Sequence, residues 1–199
     1  MYMPHSSAAH LPSGEVGFGG DTPVHAQPNE ETYPLMKNFV RGDSRRPTDI
    51  GVPLCFKIEH LWPGVEVLSR CEKTGEVAYK RITKVFEHES QEVFHLLYHD
   101  KRIDDCRSLV VTPNDPFWVT GKGWVNAIDL EAGDQFETFE GGVSTEFIEL
   151  QKPWCSINTV YNIEVEDFHT YFVQCGILVY NKGIPQFTTK QNGDLLMLP

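Results

Sequence analysis

The chain has 199 residues, enough for one domain, or for two only if both are small. It carries 17 Lys and Arg against 28 Asp and Glu, and this net charge of −11 would repel the phosphate backbone of a nucleic acid. We find no run of about 18 apolar residues that predicts a membrane span and no secretory signal at the start. The chain is expected to be cytoplasmic, or a fragment of a protein exported by another route, and its location stays open.

Residues 1–50 differ in composition from the rest of the chain. Six of the 13 prolines and five of the 16 glycines lie there, and such a composition is typical of loop or disorder. A short helical turn around Tyr33–Phe39 is the one regular element that this stretch suggests. We therefore expect a largely irregular N-terminal segment over residues 1–50, a folded domain over residues 51–182 and a short tail over residues 183–199.

From about Val52 onward, short apolar runs alternate with turn residues. The predicted strands are Val65–Ser69, Val77–Phe86, Glu92–His99, Ser108–Thr112, Phe117–Val119, Trp124-Val125, Val160–Val165, Thr170–Val173 and Ile177–Tyr180. The last two are expected to form a hairpin around Gln174-Cys175-Gly176. No amphipathic helix of about twelve residues is evident. This pattern predicts an all-β domain, sandwich-like or barrel-like.

The cysteines and histidines point to no metal or cofactor. None of the five cysteines lies in a C-x-x-C pair, which argues against a zinc ribbon and a thioredoxin-like redox centre. Reduced and mostly buried thiols are the simplest expectation. His95 and His99 share one face of a predicted strand and could form half of a zinc site, but no third ligand is evident.

Several segments, in this order and spacing, resemble Hint domains of the Hedgehog/intein group, and in particular the pretoxin-type Hint modules of bacterial polymorphic toxins. These segments are Ile58–Ser69 with Glu72–Glu76, Val110–Val119 with Gly121–Val125, and Val160–Val173 with Gly176–Asn181. The resemblance covers roughly Cys55–Asn181. It implies a flattened horseshoe of short antiparallel strands in which both chain ends of the module meet in one central site.

The resemblance assigns the N-terminal chemistry to three residues. Cys55, followed by Phe56, matches the cysteine that attacks the preceding carbonyl. Thr112 and Asp115 stand where the family has Thr-x-x-His, whose threonine holds the scissile amide and whose histidine protonates the leaving nitrogen. Asp115 accepts hydrogen bonds but does not readily donate a proton unless burial raises its pKa. The family's segment between the Cys-Phe pair and the Ile-Glu stretch is missing after Phe56, which predicts that Cys55 is displaced. A structural cysteine and a turn aspartate are the alternatives.

The C-terminal chemistry would depend on Asn181, whose side-chain amide matches the group that attacks its own backbone carbonyl and releases everything downstream. His169 matches one of the two helping histidines. Tyr180 replaces the other, and a neutral phenol can donate a hydrogen bond but is a poor proton shuttle. Splicing needs Ser, Thr or Cys after the asparagine, and Lys182 cannot form the ester, so full splicing is excluded.

Three hypotheses remain. The first is a degenerate toxin-releasing module that cleaves itself once at Asn181–Lys182. The second is an inactive Hint relic. The third is a β-rich binding module that uses residues 1–50 as a tether. The implied partners are the flanking segments of the same polypeptide and a toxin or immunity protein of the parent system.

Overall fold

The computed structural model describes residues 16–27, 29–32, 34, 54–90, 92–101, 103–139, 143–152, 159–174, 176–181, 187–189 and 195–197. The strands are β1 (Phe18–Gly19), β2 (Pro23–Gln27), β3 (Leu54–Lys57), β4 (Glu66–Arg70), β5 (Val77–Glu89), β6 (Phe94–Asp100), β7 (Asp105–Val111), β8 (Pro116–Val119), β9 (Gly123–Asn126), β10 (Gln135–Glu137), β11 (Val143–Gln151), β12 (Thr159–Val165), β13 (Thr170–Val173), β14 (Ile177–Tyr180), β15 (Phe187–Thr189) and β16 (Leu195–Met197). Short 3-10 turns cover Ile58–His60 and Ala127–Asp129. Within the described residues, no helix is long and apolar enough to cross a membrane.

All of the described strand pairings are antiparallel, and those of the main sheet form a closed circuit. The order is β10-β11-β6-β7-β1-β12-β5-β4-β2-β13-β14-β8-β9, and β10 also pairs with β8. β3 pairs with β2 outside this path, and β15 pairs with β16 in a separate two-stranded sheet. A closed circuit leaves few unpaired strand edges. The predicted all-β class is confirmed.

Residues 16–27 belong to the main sheet, which corrects the predicted boundary at residue 51. β1 lies between β7 and β12, with Phe18 opposite both Tyr161 and Val111. Phe18, Val24 and Ala26 are fully buried. Burial of these apolar side chains outweighs the turn-rich composition around them, and Pro23 is tolerated because it is the first residue of its strand.

β2 and β3 form the two strands of a hairpin, although residues 28–53 separate them in the sequence. Their register pairs Val24 with Phe56 and His25 with Cys55. Two strands, β1 and β2, therefore come before β3 in the chain and share its sheet. β3, the second strand of this pair, begins only after the connection formed by residues 28–53.

The alternation along β6 is confirmed, with Phe94, Leu96 and Tyr98 buried and the side chains between them partly exposed. The β13–β14 hairpin has the predicted bounds. The helical turn predicted over Tyr33–Phe39 lies outside the described residues except for Pro34. Among the described cysteines, Cys55 and Cys106 are exposed and Cys71 is partly exposed, so the expectation of mostly buried thiols is wrong for these three.

Candidate functional site

A buried cluster of hydrogen bonds among Gly17, Thr112 and Asp115, here called the Thr112 cluster, joins Thr112 to the first strand. The Gly17 N–H donates to Thr112 Oγ1 over 3.3 Å, and the Thr112 N–H donates to the Gly17 carbonyl over 3.2 Å. Thr112 follows β7, and Gly17 precedes β1, which pairs with β7 at Phe18 and Val111. The amide that Thr112 holds is thus that of Gly17.

Asp115 is the acidic member of the Thr112 cluster. Its Oδ2 accepts a 2.7 Å hydrogen bond from the Thr112 N–H, and the Asp115 N–H donates to the Thr112 carbonyl over 3.3 Å. Its side chain is fully buried, and Oδ1 has no hydrogen-bond partner. Burial raises the pKa of Asp115 well above its usual range, although hydrogen bonds from Thr112 and Gly17 act in the opposite direction. The neutral acid is therefore favoured, and unlike a carboxylate it can donate a hydrogen bond.

Tyr171 lies beside the Thr112 cluster, close enough for Asp115 to affect its pKa. Its hydroxyl donates to Asn162 Oδ1 over 2.8 Å, and its ring packs edge-on against Phe18 with centroids 6.2 Å apart. Burial raises the pKa of Tyr171, with a smaller contribution from Asp115. Tyr171 therefore remains a neutral donor and fixes Asn162, while Asn162 Oδ1 also accepts from the Ile163 N–H over 2.8 Å.

The exit of the domain lies at the end of the β13–β14 hairpin, where Asn181 directly follows β14. The Asn181 N–H donates to the His169 carbonyl over 2.8 Å, which extends the ladder that pairs Thr170 with Tyr180. Asn181 is 3% exposed, whereas the side chain of His169 is 52% exposed. His169 adopts a φ of 56°, in the left-handed region, so the chain turns sharply just before β13.

Glu164 joins the two residues of this exit. One carboxylate oxygen contacts His169 Nδ1, and the other accepts a hydrogen bond from Asn181 Nδ2. Since a carboxylate only accepts, Nδ1 of His169 must be the protonated nitrogen in this contact. Glu164 was not among the residues selected from the sequence. Glu164 could have been selected from the sequence, because Glu164 and His169 flank the predicted turn between β12 and β13.

Tyr180 packs beside Trp124, which in turn packs edge-on against Trp118. The ring centroid of Tyr180 is 5.4 Å from that of Trp124, whose indole Nε1–H donates to Glu72 over 3.0 Å. Partial burial raises the pKa of Tyr180, and the negative charges of Glu72 and Glu164 add to this. The phenol therefore stays neutral, as expected from the sequence for the residue before Asn181.

The pairing of β8 with β14 connects the Thr112 cluster to the exit. Val179 lies opposite Phe117 in this antiparallel pair. In an antiparallel pair the start of one strand and the end of the other lie at the same end, so Asp115, just before β8, and Asn181, just after β14, lie at the same end of this pair. Thr112, Asp115, His169, Tyr180 and Asn181 thus belong to one region of the sheet.

Cys55 lies elsewhere, on β3. It is exposed, and its strand partner is His25. The pKa of Tyr79 is raised mainly by burial, and Cys55 adds to this effect. By contrast, Gly17 supplies the amide beside Thr112, and Phe18 after it repeats the Cys-Phe pattern with glycine in first place. That pattern was readable in the sequence, but the turn-rich composition of its surroundings hid it.

The two histidines considered for zinc lie on β6. His99 Nε2 is 3.0 Å from Asp104 Oδ1, so this ring already has an acidic neighbour. Within the described part of the chain, no three His, Cys, Asp or Glu side chains form a group that could hold a metal ion.

Comparison with solved structures supports the same fold. A bacterial intein-like domain from Clostridium thermocellum is similar, with a TM-score of 0.61 and 25% sequence identity over 84% of this chain and 99% of that chain. A DnaB intein from Synechocystis sp. PCC 6803 gives a TM-score of 0.56 at 14% identity, over 83% of this chain and 98% of that chain. The gp41-1 intein gives 0.55 at 16% identity, over 84% and 99%. The two inteins show the fold alone.

Comparison with family models and curated sequences gives one match. The search of curated proteins finds no matching protein, so the one match comes from the family models. The model of the pretoxin HINT domain matches residues 54–184, about two thirds of the chain. The structural matches cover more, which agrees with the place of β1 and β2 in the sheet. The chain therefore belongs to the pretoxin HINT domain family of intein-like autoprocessing domains.

Proposed function

We propose that this domain cleaves its own backbone once, at Asn181–Lys182, by cyclisation of Asn181. The observation that carries the proposal is the environment of the Asn181 carboxamide, which is buried at the end of β14 and contacts Glu164. The backbone N–H and the side-chain amide of Asn181 both donate hydrogen bonds, to His169 and Glu164. Cyclisation is slow in a flexible chain because the reacting atoms rarely meet, and an asparagine held in this way has lost most of that freedom.

The reaction needs a nucleophile and a protonated leaving group. The Asn181 side-chain nitrogen attacks the Asn181 carbonyl carbon, and the bond from that carbon to the Lys182 nitrogen breaks. The product is a C-terminal succinimide and a fragment with a free amine at Lys182. In this proposal His169, whose Nδ1 contacts Glu164, supplies the proton to the leaving nitrogen.

The N-terminal half of the intein reaction is absent from this proposal. The residue whose amide contacts Thr112 is Gly17, which has no side chain to attack the preceding carbonyl. Cys55 is assigned no catalytic role, because it lies on β3, opposite His25. Lys182 cannot accept an acyl group as an ester. Cleavage without splicing is the chemistry that these residues allow.

The test is a fusion that carries a well-folded reporter protein after Pro199, followed by intact mass spectrometry over several days at neutral pH. We expect an N-terminal product that ends at Asn181 and weighs one water less than the corresponding free acid. The matching fragment should begin at Lys182. The missing water distinguishes cyclisation from hydrolysis by a contaminating protease.

The matched control is Asn181→Asp, which keeps the size of the side chain but removes the attacking nitrogen. It should stop cleavage at neutral pH. If the unsubstituted fusion stays whole, or if the Asn181→Asp variant is cut at the same rate, self-cleavage at this bond is ruled out. An inactive scaffold would then be the better account.

The partners of such a reaction would be the flanking segments of its own polypeptide. A released downstream segment would be the cargo, and a toxin or immunity protein of the parent system is the partner class that the family name suggests. Both follow from the proposed cleavage and share its test.

A further inference from the structure

We propose that Glu164 is the general base that takes a proton from the Asn181 side chain and that it fixes His169 at the same time. This inference rests on the proposed cleavage at Asn181 and names the group that drives it. It concerns a residue outside those selected from the sequence.

The carboxylate of Glu164 lies between the two reacting groups of the exit. Its two oxygens serve different partners, Nδ1 of His169 and Nδ2 of Asn181. The Nδ2 atom is the one that forms the new bond in cyclisation. A base must lie within hydrogen-bond reach of the proton that it takes, and Glu164 meets this condition without any rearrangement.

The backbone of β12 is irregular at Glu164, which affects where its side chain points. The pairing of β12 with β5 shifts register between Glu164 and Val165. Such bulges redirect a side chain relative to the regular alternation of a strand. The Glu164 carbonyl still accepts a hydrogen bond from the Thr83 hydroxyl over 3.3 Å, which anchors the residue on the β5 side.

Lys84 is the cation that would compete for the Glu164 carboxylate. It is the strand partner of Glu164, and a simple surface ion pair between them would be an alternative role. Lys84 Nζ instead lies over the ring of Phe86, 4.6 Å from its centroid. The carboxylate is 25% exposed and points toward the exit residues, whereas Glu166, two positions later, is exposed.

Two proton transfers balance the reaction. Glu164 takes one proton from Asn181 Nδ2 as the bond from Nδ2 to the carbonyl carbon forms. Protonated His169 gives one proton to the Lys182 nitrogen as the bond from that nitrogen to the carbon breaks. Glu164 ends protonated and His169 ends neutral, and both exchange with water, since neither is fully buried. No oxidant or further reactant is needed.

The experiment compares Glu164→Gln and Glu164→Asp in the reporter fusion after Pro199. Gln keeps the length and an oxygen that can accept from Asn181, but it cannot take the proton, so we expect cleavage to slow by roughly 10²–10⁴-fold. Asp keeps the base on a shorter side chain and should recover part of that loss. Glu166→Gln removes the same charge nearby and should cleave at the parent rate.

The outcomes separate the two proposals. If the parent cleaves and Asn181→Asp does not, but Glu164→Gln matches the parent, then Glu164 is not the base and the proposed function survives. If Glu164→Gln and Glu164→Asp are equally slow while their melting temperatures match the parent, Glu164 acts only as a fixed contact, and the general-base role fails. A parent that never cleaves overturns both proposals together.

Discussion

The backbone N–H of Asn181 donates to the backbone carbonyl of His169 over 2.8 Å, so main-chain atoms hold these two residues together. Glu164 links their side chains. Replacing the His169 ring should therefore leave the position of Asn181 almost unchanged. This separation allows the chemistry of the exit to be tested apart from its structure.

Replacing His169 with asparagine should slow self-cleavage while preserving the fold. Asparagine tolerates the left-handed φ of 56° that this position requires, but it has no imidazole to protonate the leaving nitrogen. We expect a loss of about 10²–10⁴-fold in rate, measured by intact mass, with little change in melting temperature. Cleavage at the parent rate would show that the ring is not the acid.

The difference in unfolding free energy between the Asp115→Asn variant and the parent should shift in favour of the variant as pH rises. Burial raises the pKa of Asp115 in the folded state, whereas the unfolded chain has the ordinary value near 3.9. Between these values the folded state binds the additional proton, so parent stability falls with rising pH by at most about 1.4 kcal/mol per unit. Below the unfolded value this effect is absent. The amide that replaces the carboxyl in the variant does not titrate.

Thermal unfolding of both proteins from about pH 4 to about pH 7 measures this difference. The advantage of Asp115→Asn should grow across that range. Asp21→Asn, at an exposed carboxyl, is the control and should show a nearly constant difference. A constant difference for Asp115→Asn as well would mean that the buried acid is ionised like an ordinary aspartate.

Replacing Thr170 with valine should weaken the attachment of the exit hairpin to β4. The Thr170 hydroxyl donates to the Arg70 carbonyl over 2.7 Å and accepts from the Arg70 N–H over 3.0 Å. Valine keeps the shape and leaves both backbone groups unsatisfied, at a cost of about 1–3 kcal/mol in the free energy of unfolding. Urea denaturation checks this. Thr74→Val, in an exposed turn, should change stability by less than about 0.5 kcal/mol.

Alanine at Gly17 should disturb the Thr112 cluster, whereas alanine at Cys55 should not. A Cβ at position 17 would lie 3.0 Å from the Tyr161 carbonyl oxygen, which is too close without a shift of the strand. We expect Gly17→Ala to lose about 1–3 kcal/mol of stability by overpacking. Cys55 is exposed on β3, so Cys55→Ala should leave both stability and cleavage near the parent values. A strong loss of cleavage in Cys55→Ala would restore the sequence-based assignment.

Truncating Phe18 to alanine should show that β1 is part of the core. Phe18 is fully buried and packs against the rings of Phe117 and Tyr171, with centroids 6.1 and 6.2 Å away. The expected loss is about 3–5 kcal/mol in the free energy of unfolding, measured with urea. Ile103→Ala, at an apolar side chain that is 52% exposed, should cost far less. Equal effects would place Phe18 outside the core.

β12, β13 and β14 were well predicted from the sequence, because alternation was strong there, whereas β10 and β11 were not among the predicted strands. β13 and β14 have the predicted bounds, since turn residues end each of these apolar runs. β1 and β2 were missed, since two and five residues among glycines and prolines look like loop. Their burial comes from β7, β12 and β4, partners far away in the sequence. Local composition carries no information about such partners.

The residues of the candidate site also fall into those that the sequence predicted and those that it did not. Asn181 and His169 follow from a specific local motif and lie together. The attacking residue was assigned to Cys55 because cysteine chemistry is conspicuous in a sequence, whereas a glycine in its place leaves no chemical signal. Asp115 was expected to lack a proton to give, since its burial, which raises its pKa, depends on tertiary packing.

The closed circuit of strands also determines how stable the domain would be after its backbone is cut following Asn181. The main sheet is complete at Tyr180, and the only described strands beyond that point, β15 and β16, pair with each other. Within the described residues, severing the chain there would remove no strand partner from the main sheet. The remnant should therefore unfold at the same urea concentration as the intact parent, and the drive for release would come from the freedom that the departing segment gains.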